Sequence, residues 1–240
     1  VINPSDSISN PRSSELSISE GTARFDDLVF LREPMMICGK EQDPEKRSKI
    51  FFEWITVSGT TVVFKNLDIS GKIHATADSN IIFENCNIHN SLDLTKTESA
   101  VKIFANSRGK FKNCVFDAIP EQHVCVLLED MVKCPGSWKS PSYRPVTAVF
   151  DECEFKKNEK GSNHKIGIFA LGEAQVQAHK CKFQDCDNIE IFLTKGAQAY
   201  IDDCEFGGMR GKAIFLKDLS KIKVTESKFN KCGKGAITGA

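Results

Sequence analysis

Apolar residues recur along this chain in columns with a common period, and that recurrence limits its fold more than any other feature. One column reads Leu67, Cys86, Cys114, Cys153, Cys181, Cys204 and Ser227. Two positions later stand Ile69, Ile88, Phe116, Phe155, Phe183, Phe206 and Phe229. Three positions earlier stand Phe64, Phe83, Phe111, Phe150, Ala178, Ile201 and Val224. Between these segments runs a further column of Ile103, Val126, Ile168, Ile191, Ile214 and Ile237. From Ile168 onward it advances by 23 residues, and so does the cysteine column from Cys181. Two columns sharing one period describe a stack in which each unit buries its apolar face against the next.

The units are strands. Apolar residues sit at i and i+2 in short runs such as Cys204 and Phe206, which is strand periodicity. The runs are rich in Phe, Ile and Val, and no amphipathic helical stretch separates them. The step from Phe83 to Cys86 is odd, so both can point inward only if the chain turns a corner between them. Asn66, Asn85, Asn113 and Asp203 occupy that corner, residue types that tolerate a left-handed backbone. Glu152, Lys180 and Glu226 hold the same place in other units. The fold expected is an all-β solenoid, a single-stranded parallel β-helix with three short strands per coil and strands about 4.8 Å apart.

That geometry bears on the ten cysteines. Side chains on successive coils stand farther apart than the roughly 3.8 Å that disulfide Cβ atoms require. The Cys column therefore reads as buried small hydrophobes, which suits a reducing, cytoplasmic setting. The absence of any Asn-x-Ser/Thr sequon with a non-proline middle residue points the same way. Zinc is the alternative, through His123, Cys125 and Cys134 or through His179, Cys181 and Cys186. Neither trio has the paired short spacings of structural zinc sites, so no metal and no cofactor is expected.

Lys and Arg total 32, as do Asp and Glu, which argues against a general nucleic-acid binder. No apolar run is long enough for a membrane span. Residues 1–18, rich in Ser, Asn and Pro, read as a flexible linker, and 19–60 as an N-terminal cap and first coil. Coils then fill 61–240, and the sequence reads as continuing beyond 240. The interval from Val126 to Ile168 is 19 residues too long for one coil, which places an inserted loop near 129–147 and a smaller one at 156–165. Insertions in solenoids map to one face, often the binding face. The larger loop carries Trp138, Tyr143 and Arg144, residue types frequent at interface hot spots. Trp138 folded back as a lid on the coil is the alternative.

The phrase SISEGTARFDDLVFLREPMMICGKE, followed by VVFKNLDISGKI, resembles the entry to pectate-lyase-like right-handed β-helix domains. The resemblance extends over residues 17–240, and its motifs specify fold rather than activity. That superfamily includes pectate lyases, polygalacturonases and pectin methylesterases. It also includes the intracellular repeats of F-box and Nessun Dorma-type proteins, which this cysteine-laddered, sequon-free chain resembles most.

An enzyme acting on uronic polymers as lyase, hydrolase or esterase would need clustered carboxylates. Asp202 and Asp203 are adjacent but fall at a corner, while Glu129, Asp130 and Glu190 do not recur at one point of neighbouring coils. The five histidines read as scattered surface or corner residues. No catalytic residue is assigned. A binding reading has positive support in Phe104, Leu127, Phe169, Phe192 and Phe215, each beside an inward residue and so outward by strand alternation. These form an expected apolar stripe for a partner, unless a loop covers it or the column is itself the inward one. The function expected is a non-catalytic binding or scaffold domain engaging a protein partner, or else a glycan, through this strand face and the inserted loop; the alternative is a polysaccharide lyase, hydrolase or esterase acting on uronic-acid polymers.

Overall fold

The computed structural model describes residues 15–18, 21–40, 43, 46–89, 99–118, 124–130, 144–157, 166–186 and 188–239. Among these every strand pair is parallel, and the strands line three faces of a solenoid. Face A has nine strands stacked in chain order, from Glu15–Ile18 and Met35–Gly39 to Gln198–Asp202 and Lys221–Thr225. Nine rungs on this face mean nine coils among the described residues.

Faces B and C are continuous in the first three coils. There the long strands Thr22–Leu31, Ser48–Ser58 and Leu67–Thr76 cover both faces. One extra residue bulges between Phe25 and Leu28 and another between Phe51 and Trp54, bending each strand from B onto C. From the fourth coil the faces separate. Face B continues from Asn87–His89 to Lys228–Asn230, and face C from Ser99–Phe104 to Ile237–Gly239.

The core is a set of in-register ladders. Phe64, Phe83, Phe111 and Phe150 stack on face A with ring centroids 4.8–5.0 Å apart. Phe116, Phe155, Phe183, Phe206 and Phe229 stack on face B. Cys86, Cys114, Cys153, Cys181 and Cys204 are buried beside them as free thiols. Each donates its S–H to nearby carbonyls, as Cys153 does to Phe111 and Asp151 at 3.4 Å. Burial pushes the thiols of Cys86 and Cys153 up, holding them as neutral donors.

Several expectations change. Glu15–Ile18 is a strand paired with Met35–Gly39, so the solenoid includes residues assigned above to a linker. Residues 19–60 span more than one coil, since Thr22–Leu31 and Ser48–Ser58 occupy successive coils of the same faces. At the inserted loop, Glu129 still ends a strand and Thr147 already begins one; residues 131–143 lie outside the described residues. Ile103 leaves its expected column. Val101 pairs with Val126, while Ile103 pairs with Leu128. That coil is longer than 23 residues, so stepping back 23 from Val126 lands two positions late.

Candidate functional site

Strand alternation on face C buries Val126, Ile168, Ile191 and Ile214 and turns Leu127, Phe169, Phe192 and Phe215 outward. Ile191 is 0% exposed and Phe192 is half-buried, so the outward column is the one that carries the phenyl rings. Its rungs pair directly, Leu127 with Phe169, Phe169 with Phe192 and Phe192 with Phe215. The Phe169 and Phe192 rings are stacked at 4.8 Å and 5°. The Phe215 ring tilts by 34° at 5.3 Å from Phe192, with Lys212 Nζ 3.8 Å from its centroid. Faces of these rings therefore look along the solenoid axis at one another, and their edges form a ridge.

Phe104 is not part of that ridge. The residue in register with Leu127 is Lys102, while Phe104 pairs with Glu129 in the next outward column. The same two-residue offset that moved Ile103 moves its neighbour. Lys102 Nζ joins Glu129 at 2.5 Å and lies 5.3 Å from the Phe104 ring. Of the loop residues singled out above, Arg144 is exposed just before the face A strand Thr147–Asp151, while Trp138 and Tyr143 lie outside the described residues.

Sequence reasoning missed the start of this surface. His74 is in register with Lys102, and its ring meets Trp54 at 4.3 Å and Phe104 at 6.1 Å, edge-on to both. Lys72 Nζ lies 5.6 Å from the Trp54 ring. The bulge between Phe51 and Trp54 shifts strand parity, which hides Trp54 from simple alternation. Nor are the histidines isolated. Besides His74, His89 pairs with Asp68 and His179 with Asp202, while His123 and His164 lie outside the described residues.

The acidic residues weighed as catalytic are dispersed. Glu129 is engaged by Lys102 on face C, Glu190 is fully buried, and Asp202 ends a strand on face A. A hydrogen bond from Thr225 holds the Asp202 carboxyl below the usual carboxylate range, with His179 acting in the same direction. His179 turns outward to Asp202 while Cys181 is buried in the core, so that trio does not converge on one point. Near the corner of faces B and C, burial raises the thiols of Cys125 and Cys186, and the Glu190 carboxylate raises both further.

With ladders and register in hand, the chain is a parallel β-helix solenoid. A family model described as a right handed beta helix region matches residues 139–239. A search among curated proteins found no match. Among solved structures, the chain is similar to the surface adhesin PfbA of Streptococcus pneumoniae at 10% identity and a TM-score of 0.36, covering 98% of this chain and 87% of that one. A second PfbA structure gives 10% identity and a TM-score of 0.37, covering 98% and 93%. The catalytic domain of a GH87 alpha-1,3-glucanase in complex with nigerose is similar at 9% identity and 0.33, covering 98% and 65%.

Proposed function

We propose that this chain is a non-catalytic binding or scaffold module that engages a protein partner through the outer surface of face C. The ridge of Leu127, Phe169, Phe192 and Phe215 carries the reading, because it places contiguous half-buried apolar side chains on the outer surface of a regular sheet. Aromatic residues so placed are the usual anchors of protein interfaces. The stacking also favours protein over glycan. A sugar ring stacks on an aromatic face, and here the faces of Phe169 and Phe192 are turned to each other. What is offered is ring edges, which suit the methyl and methylene groups of a protein surface. The same reading places the domain in the cytoplasm, where a column of thiols stays reduced.

The test is paired. Phe192→Ser should abolish retention of specific partners on an affinity matrix while the protein still folds, its melting temperature lowered by several degrees through the loss of contacts to Phe169 and Phe215, each worth about 0.5–1.5 kcal/mol, and of part of a ring's burial. Unchanged retention by Phe192→Ser would remove the ridge as the site. Release of product from polygalacturonate or pectin, with or without calcium, would overturn the non-catalytic reading.

A further inference from the structure

The cysteine column at the corner of faces A and B has a chemistry beyond filling space. Cys86, Cys114, Cys153, Cys181 and Cys204 are free thiols on successive coils, each at most 2% exposed. Their sulfurs occupy one repeated setting. Each lies 3.2–3.4 Å from the carbonyl oxygen two residues before it, from Glu84 in the first to Asp202 in the last. Each also lies 3.4–3.6 Å from a carbonyl oxygen of an earlier face A strand, from Phe64 to Ala178. The Cys86 carbonyl accepts from Val115 N–H on the next coil, and the later cysteines repeat that bond down to Cys181 with Glu205. The sulfurs are therefore related by the coil-to-coil step alone. In the phenyl ladder two positions along, that step is 4.4 Å from Phe116 to Phe155, 4.9 Å from Phe155 to Phe183 and 4.6 Å from Phe183 to Phe206.

This spacing selects a ligand. It is far too wide for a disulfide, whose sulfurs stand about 2.05 Å apart. It is the span of two metal–sulfur bonds of about 2.3 Å laid end to end. A straight row offers an ion one sulfur from each side and nothing more. Among the described residues no three His, Cys, Asp or Glu side chains converge on a metal position. The four-ligand cages of zinc and of iron–sulfur clusters are therefore not formed by these residues. Of the soft ions that thiolates select, Cu(I) is the one that accepts linear two-coordination. One Cu(I) displaces the protons of two thiols and leaves the pair with a single negative charge. The Cys181 N–H points at Cys204 Sγ from 3.4 Å, a donor that meets part of that charge.

We propose that the thiol ladder binds Cu(I), each ion held linearly between the sulfurs of adjacent coils, Cys181 and Cys204 foremost. The five rungs have room for two ions with no sulfur shared. Each ion clips two coils together, so binding adds to the stability of the stack. The site lies inside the solenoid and does not depend on the ridge of face C.

The test removes the same number of thiols in two ways. Serine is already native to this column, since Ser227 Oγ accepts from the Cys204 N–H at 3.0 Å and donates to the Thr225 carbonyl at 2.8 Å. Cys114→Ser with Cys181→Ser leaves ladder thiols only on alternate coils. Cys86→Ser with Cys204→Ser leaves the remaining ones contiguous. The reduced full chain and both double variants are equilibrated anaerobically with Cu(I), supplied as its acetonitrile complex, and weighed by non-denaturing mass spectrometry. Long incubation is needed, because the buried sulfurs are reached only when the corner opens. The cysteines outside the ladder are common to all three proteins, so ions they take cancel in the comparison. The parent should hold two more ions than the alternate-coil variant, and the contiguous variant one more. Uptake should strengthen as pH rises, because each ion displaces two protons. No uptake by the parent, or equal uptake by all three proteins, would overturn the proposal. So would equal losses in the two double variants, which would trace uptake to the number of thiols rather than to their adjacency. On the parent alone, Cu(I) should raise the melting temperature; a fall would mean that the ion prises the core apart, and would overturn the proposal as well.

Discussion

At the corner between faces A and B, seven residues in register hold φ between 49° and 55°: Asn66, Asn85, Asn113, Glu152, Lys180, Asp203 and Glu226. The left-handed backbone costs an ordinary L-residue about 1–2 kcal/mol, less for Asn or Asp. The first three add an amide ladder, Asn85 donating to Asn66 and Asn113 to Asn85 at 3.2 Å each. Glu152 stands where the next rung would be and cannot donate. Glu152→Asn should extend the ladder and relieve the backbone together, stabilising the fold by about 1 kcal/mol. For a domain of this size that is a rise of about 2–4 °C in melting temperature, readable by circular dichroism. A fall in melting temperature would mean that the Glu152 side chain makes a contribution larger than the ladder rung.

Whole strands turn on single residues where faces B and C meet in the early coils. Gly71 has φ of 150°, and a Cβ built there would run into the carbonyl and ring of Phe52 on the preceding coil. Gly71→Ala should therefore distort the bend of Leu67–Thr76. It should cost about 1–3 kcal/mol, measured as a lower denaturation midpoint. This corner also marks where the fold was hard to read from sequence. Later coils keep a constant 23-residue step, so the Cys, Phe and Ile ladders from Ile168 onward were legible from spacing alone. In earlier coils the bulge before Trp54 changes the parity of inward and outward positions, and the 25-residue step from Val101 to Val126 offsets Ile103 and Phe104. The face C ridge was legible at Leu127, Phe169, Phe192 and Phe215, because each neighbours an inward residue in a strict repeat. The outward column of face A obeys the same period, at Gln175, Gln198 and Lys221, but polar outward columns give no hydrophobic signal to mark them.

Across the molecule, stability is arranged along one axis. Each coil touches only its neighbours, so energies should sum over coils with coupling confined to adjacent rungs. Phe155 and Phe183 are stacked on successive coils with centroids 4.9 Å apart, whereas Phe83 and Phe206 belong to distant coils. Substitution by Leu keeps much of the apolar volume and removes the ring stack, so each single change should leave a folded protein. In a double-mutant cycle, Phe155→Leu with Phe183→Leu should show a coupling of about 0.5–1.5 kcal/mol, the worth of a stacked aromatic pair. Phe83→Leu with Phe206→Leu should be additive to within about 0.5 kcal/mol. Equal coupling in both pairs would show that a change in one coil is transmitted well beyond its neighbours, against a stability set by nearest-neighbour contacts. Additivity of the distant pair would also explain how two chemically different surfaces can coexist. The apolar outer surface of face C and the polar one of face A can each change its outward residues without disturbing the other, because the inward ladders beneath them are unaltered.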